Sequence, residues 1–201
     1  MRPAGLLGPL LLAAACTRGP VPAPLPSGVA TMASWGGTPA DPARGRPHQI
    51  ERITLHHGGV RVDPTRSTEA YLRGLQDWSR REKGWVDIPY HFVVDQEGRV
   101  FAGRELRFAG DTNTEYDPTG HALVVLLGNF EEEEPSALQF EATVTLVARL
   151  ATQHRVGLDR IASHRDYSRQ TVCPGKNLTR RLESGWFRSA VRTRMGASGT
   201  P

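Results

Sequence analysis

Asp87-Ile88-Pro89-Tyr90-His91-Phe92-Val93-Val94-Asp95-Gln96-Glu97-Gly98-Arg99-Val100-Phe101-Ala102 is the stretch that decides the fold class of this 201-residue chain. Tyr90 to Asp95 is an aromatic and β-branched run and reads as a strand. Gln96-Glu97-Gly98 supplies a turn, and Arg99 to Ala102 returns as the second arm of a hairpin. Upstream, Glu51 to His56 reads as another strand, with Ile53 and Leu55 on one face and His57 beginning the turn at Gly58-Gly59. Ser67 is placed to cap a helix running to Glu82, with Tyr71, Leu75 and Trp78 along one face. Downstream, Leu123 to Leu127 is a continuous apolar run, as a strand covered on both faces requires. Pro135-Ser136 opens a long helix to Arg155, with Gln139 expected to complete a capping box. A last helix spans Leu178 to Arg194, with Gly185 as its candidate break. Strands and helices interleave, which predicts an α/β domain with a mixed sheet covered by helices.

The composition is 38% hydrophobic and 23% charged, which suits one globular domain with a core plus a non-globular extension. The formal charge of +4 comes with no basic stripe interleaved with aromatics, so no nucleic-acid partner is expected. Residues 1–15 place one arginine before a short apolar run and three alanines, a signal-peptide pattern too short to span a bilayer. Cys16 directly after those small residues is the pattern of a lipidated bacterial lipoprotein. Ordinary secretion, with cleavage near Ala15, is the alternative. Either reading predicts export, and the first predicts an envelope protein anchored through Cys16, at the outer membrane facing the periplasm. Residues 16–47 are rich in Pro, Gly and Ala and read as a flexible linker. The domain is expected over 48–195, with 196–201 as a tail, and as a monomer.

Three separated residues suggest a metal centre. His56 ends the first strand, His164 lies in Ser163-His164-Arg165-Asp166, and Cys173 lies in Thr171-Val172-Cys173-Pro174-Gly175. Two imidazoles and a thiolate suit Zn²⁺. Three protein ligands rather than four leave a position open, as catalytic zinc sites do. If Cys16 carries lipid and Cys173 binds metal, neither is left for a disulfide. A Cys16–Cys173 disulfide is the competing reading.

The order HH, D-x-x-Y-H-F, G-x-V-x-x-G-R, H-R-D and C-P-G, over roughly Pro47 to Trp186, resembles the zinc-dependent N-acetylmuramoyl-L-alanine amidases shared by phage amidase-type lysozymes and peptidoglycan recognition proteins. The resemblance implies a central sheet of five or six strands. It implies one Zn²⁺ held by His56, His164 and Cys173. It assigns the first histidine of the pair as ligand and leaves His57 to pack or hydrogen-bond nearby, as a candidate substrate-binding residue. It aligns Tyr90 with the family's catalytic tyrosine, whose OH suits an oxyanion. Thr171 aligns with a position where a hydroxyl can orient water or a substrate carbonyl, or merely cap the loop. The His164-to-Cys173 spacing is one residue longer than the family's usual spacing, which a loop can absorb.

Arg104 follows Gly103 and is a candidate for a stem-peptide carboxylate, since guanidinium binds carboxylates in a bidentate fashion. Glu105-Leu106 follows where the family carries a pair that separates diaminopimelate from lysine, so that distinction is not carried over. Asn113, after Ala109-Gly110-Asp111, resembles a groove-lining position. His121 reads as structural, Arg165 and Asp166 as loop organisers, and Glu131 to Glu134 as a solvated acidic run. The resemblance implies hydrolysis of the amide between N-acetylmuramic acid and L-alanine, in peptidoglycan or muropeptides. The alternatives are a muropeptide-binding module of the same fold that does not cut, and an interaction protein that regulates another enzyme.

Overall fold

The computed structural model describes residues 25–197. Among the described residues it has ten regular elements, of which the strands Val29–Ala30 and Ile161–Ser163 were not expected from the sequence. The ten are β1 (Val29–Ala30), β2 (Arg52–His57), α1 (Thr68–Arg81), β3 (Phe92–Val94), β4 (Val100–Ala102) and β5 (His121–Leu126), then α2 (Ala137–His154), β6 (Ile161–Ser163), α3 (Lys176–Glu183) and α4 (Trp186–Ala197). The strands form one sheet in the order β1-β4-β3-β5-β2-β6. The β3–β4 hairpin is antiparallel, with Phe92 opposite Ala102, and the other pairings are parallel. The chain is therefore a mixed α/β sheet domain, as its pattern of elements predicts.

Side-chain alternation sends the sheet into two cores. Ile53, Leu55, Phe92, Val94, Val124 and Leu126 face α2, α3 and α4, where they meet Val144, Val147, Leu150, Leu178 and Val191. Val93, Phe101 and Val125 face the other way, onto Leu72 of α1, Ile88 and Trp35. Each such fully buried aliphatic side chain contributes about 1.5–3 kcal/mol. Ser67 caps α1 by accepting from the Ala70 amide, and Ser136 caps α2 by accepting from the Gln139 amide. The expected capping box at Gln139 does not form. Its side-chain amide donates instead to the carbonyls of Val94 and Leu127, both at 2.9 Å, and so ties α2 to the ends of β3 and β5. Gly185, at φ +77°, separates α3 from α4 at the position of the expected break.

The boundary at residue 48 requires correction. Residues 25–47 are packed on the domain: β1 pairs with β4, and Pro47 bridges Phe108. Trp35 is buried, and its indole N–H donates to the Ala102 carbonyl at 2.8 Å. A low average content of large apolar residues misled the sequence reading, because one tryptophan suffices to dock a short segment. Cys16, the segment 1–24 and residues 198–201 lie outside the described residues, whereas Gly196 and Ala197 end α4.

Candidate metal centre and groove

Strand register builds the centre. Ile53 pairs with Ile161 and Leu55 with Ser163, so the next residues, His56 and His164, leave adjacent parallel strands side by side. Their rings are 4.6 Å apart. His164 opens a single 3-10 turn that Asp166 fastens, its carboxylate accepting from the Ser163 amide at 2.7 Å and the Ser163 hydroxyl at 2.8 Å. Arg165 donates its amide to the Cys173 carbonyl at 3.0 Å, so both loop residues organise rather than react. That closure returns Cys173 to the strand ends, where its Sγ accepts the His57 amide at 3.3 Å and lies 3.7 Å from His56 Nδ1.

One ligand atom each from His56, His164 and Cys173 lies within 4.8 Å of the others, and all three residues are buried. Tetrahedral zinc bonds of about 2.3 Å to sulfur and 2.0–2.1 Å to nitrogen place S and N about 3.6 Å apart, close to the His56–Cys173 separation. Burial, with His164 nearby, holds His56 well below its ordinary 6.5. Burial holds His164 at about 4, so both rings are neutral and offer lone pairs at pH 7. Burial likewise pushes the Cys173 thiol up to about 12, a charge penalty that a bound dication removes. The donor set fits Zn²⁺.

Tyr90 precedes β3 and brings its ring to 5.3 Å from that of His56. Burial raises its phenol above the ordinary 10, so it stays protonated and can donate. These residues floor a groove. One wall is aromatic and apolar, formed by Tyr71, Leu75 and Trp78 of α1 with Trp85, and the other is hydroxyl- and amide-rich, formed by Thr112, Asn113, Thr114, Gln170 and Thr171. The α1 stripe that periodicity picked out therefore faces the groove, while Leu72, Gln76 and Ser79 face inward. Trp78 and Trp85 meet edge to face at 5.9 Å, and Trp78 is 42% exposed.

The other candidates separate. Asn113 is exposed on the groove wall. Thr171 borders the groove, and its hydroxyl accepts the Cys173 amide at 3.0 Å. His57 also borders the groove, but its Nδ1 accepts the Phe130 amide at 3.2 Å, leaving only the far side of the ring for a ligand. Arg104 must be withdrawn as a carboxylate binder. Its guanidinium is buried and donates to the carbonyls of Asp87, Ile88 and Ala109 and to the Asp111 carboxylate. It is the brace of the 87–111 region, and no face is left for a substrate. His121 is structural as read, its Nδ1 2.7 Å from the Thr54 hydroxyl. The acidic run is less solvated than its composition implies, since Glu132 pairs with Arg61, Glu134 with Arg180, and Glu131 accepts the Lys176 amide at the start of α3. The sequence reading missed Thr114 and Tyr116, which touch His164 from Asp111-Thr112-Asn113-Thr114-Glu115-Tyr116. Only a loop with alternating hydroxyls marked them.

Residues 46–176 match the N-acetylmuramoyl-L-alanine amidase family, a span that contains His56, Tyr90, His164 and Cys173. The chain belongs to that family. Family relatives carry two kinds of name. Mouse peptidoglycan recognition protein 1 is 24% identical over 159 residues, covering 78% of this chain and 86% of its own. The pig N-acetylmuramoyl-L-alanine amidase is 31% identical over 180 residues, 82% of this chain but only 29% of the pig protein. Among solved structures, the ectodomain complex of peptidoglycan recognition proteins LCa and LCx with tracheal cytotoxin matches at TM-score 0.68 and 26% identity, over 77% of this chain and 94% of that one.

Proposed function

We propose that this family member is a zinc-dependent amidase that hydrolyses the bond between N-acetylmuramic acid and L-alanine in peptidoglycan or muropeptides. The observation that carries the reading is the convergence of three neutral, buried donors beside a protonated tyrosine at the floor of a groove. His56, His164 and Cys173 would hold the ion, and when bound it supplies a Lewis acid and lowers the pKa of water toward about 7.

This chain's own residues do the rest. The tetrahedral intermediate of amide hydrolysis carries an oxyanion, and Tyr90, which lines the groove with its ring 5.3 Å from that of His56, has an OH free to donate to it. The 112–114 and 170–171 wall offers hydroxyls and amides to the backbone of a stem peptide. The Tyr71–Trp85 wall offers apolar faces to the sugar and excludes water from one side. Thr171 holds the Cys173 amide and keeps one hydroxyl hydrogen to direct into the groove.

Relatives named as recognition proteins favour a second reading, a muropeptide-binding module that does not cut. Cys173 speaks against it, because a binder has no need of a buried thiol aimed at two imidazoles. Release of a new primary amine from a muramoyl peptide by zinc-loaded protein, lost on chelation, separates the two. Binding without amine release would leave the recognition reading. Cys16 and the apolar run before it support a further part of the proposal, lipid anchoring in the cell envelope. The mass of the mature N-terminus from the native host tests it, and an unacylated N-terminus would remove the anchor and leave the amidase reading intact.

A further inference from the structure

Thr114 of the groove wall and the two residues that follow it reach across to the segment that carries His164. Thr114 Oγ1 lies 2.8 Å from His164 Nε2. Glu115 accepts from the Ser168 hydroxyl at 2.5 Å and the Arg169 amide at 3.1 Å. The Tyr116 ring packs 5.1 Å from that of His164 and stacks on Tyr167. A strap with this many fastenings holds the histidine ring in one orientation.

We propose that Thr114 is a positioning residue for His164: its hydroxyl accepts the Nε2–H, fixes that tautomer, and leaves the Nδ1 lone pair for the metal. The inference rests on the reading of His56, His164 and Cys173 as a zinc site. The short contacts of the strap are compatible with it. Thr112 Oγ1 accepts the Thr114 amide at 3.1 Å and lies 2.9 Å from Thr114 Oγ1. Either hydroxyl of that pair can be the donor; when Thr114 donates to Thr112, the lone pairs of Thr114 are turned to His164, and a neutral imidazole protonated at Nε2 is the form that satisfies them. An imidazole protonated at one nitrogen can ligate only through the other. A hydroxyl at this place therefore selects the ligating atom, the part that outer partners of metal-bound histidines play. Because Thr112 and Thr114 also line the groove, the wall that meets substrate and the partner of the ligand are one segment.

The test is zinc affinity, measured by chelator competition on the folded protein. Thr114→Val keeps the shape and removes the acceptor, and should weaken zinc binding by about 10–100-fold. Thr114→Ser restores the hydroxyl and should bind within a few-fold of wild type. Nitrogen NMR of the zinc-loaded wild type should show His164 protonated at Nε2, which a strap with a merely mechanical role would not require. Thr114→Val with wild-type affinity, or a His164 ligated through Nε2, overturns the inference and leaves the zinc site standing. Wild type that binds no zinc overturns both. Should Thr114→Val fail to fold, the wild-type spectrum still decides.

Discussion

Tyr90→Phe removes one oxygen and nothing else, which makes it the sharpest probe of the chemistry. The ring packs beside His56 and lies against the α1-side core, and phenylalanine retains those contacts. Among the described residues the phenol OH has no protein hydrogen-bond partner, so its loss leaves no buried group orphaned. Stability should therefore change by no more than about 0.5 kcal/mol. Zinc content should not change, because Tyr90 is not a ligand. Turnover should fall by about 10²–10³, equivalent to about 2.7–4 kcal/mol, as when one oxyanion donor is removed. The loss should appear in kcat rather than KM, because the oxyanion exists only on the way to products. Burial keeps the phenol protonated well above pH 7, so the wild type has its donor throughout the neutral range. Single-turnover amine release, elemental zinc analysis and urea unfolding on the same samples make the assay. Wild-type turnover in a folded, zinc-loaded Tyr90→Phe would remove Tyr90 from the mechanism.

Gly175→Ala should destabilise the protein by about 2–6 kcal/mol in urea unfolding. It combines about 1–3 kcal/mol of strain at φ +88° and ψ 149° with about 1–3 kcal/mol of overpacking, because a Cβ there lies 2.4 Å from the Phe130 carbonyl carbon; a loss under 0.5 kcal/mol would contradict the packing described. The metal-free protein should lose stability as pH falls from about 6.5 toward 4. Burial holds His121 at about 4 and His91 at about 3 in the fold, so below the ordinary 6.5 the unfolded chain binds more protons; unfolding measured at stepped pH should not be flat across that window. Trp78→Ala, which strips an exposed indole from the groove wall, should raise KM for a glycan-bearing muropeptide by roughly tenfold, about 1.4 kcal/mol, with kcat preserved. An unchanged KM would place the sugar elsewhere.

What could be read from the sequence was what local chemistry determines. The hairpin at Gln96-Glu97-Gly98, the cap at Ser67 and the break at Gly185 each follow from a residue's own backbone preference, and each stands in the structure. The residues of the candidate metal centre were legible for a different reason, since His56, His164 and Cys173 stand in motif contexts that the family resemblance marks, and the structure brings them together. What was not legible depends on long-range partners. Arg104 looks free in sequence because its four acceptors come from residues 87–111, brought around it only by folding. Gln139 looked like half of a capping box until the ends of β3 and β5 offered it two carbonyls. Trp35 sits in a stretch whose average composition hides one buried anchor. Thr114 carries no signal of its own, because its role exists only once the 112–117 loop crosses to His164.

The measurement closest to the central claim is a digest of purified peptidoglycan by the zinc-loaded protein, with products resolved by mass, beside the same digest by Cys173→Ala. The account predicts free stem peptides that begin with an alanine amine and glycan that keeps its lactyl groups, and neither product from the variant, whose ligand set is broken. Intact muropeptides after incubation with folded, zinc-loaded wild type, or equal products from Cys173→Ala, would contradict it.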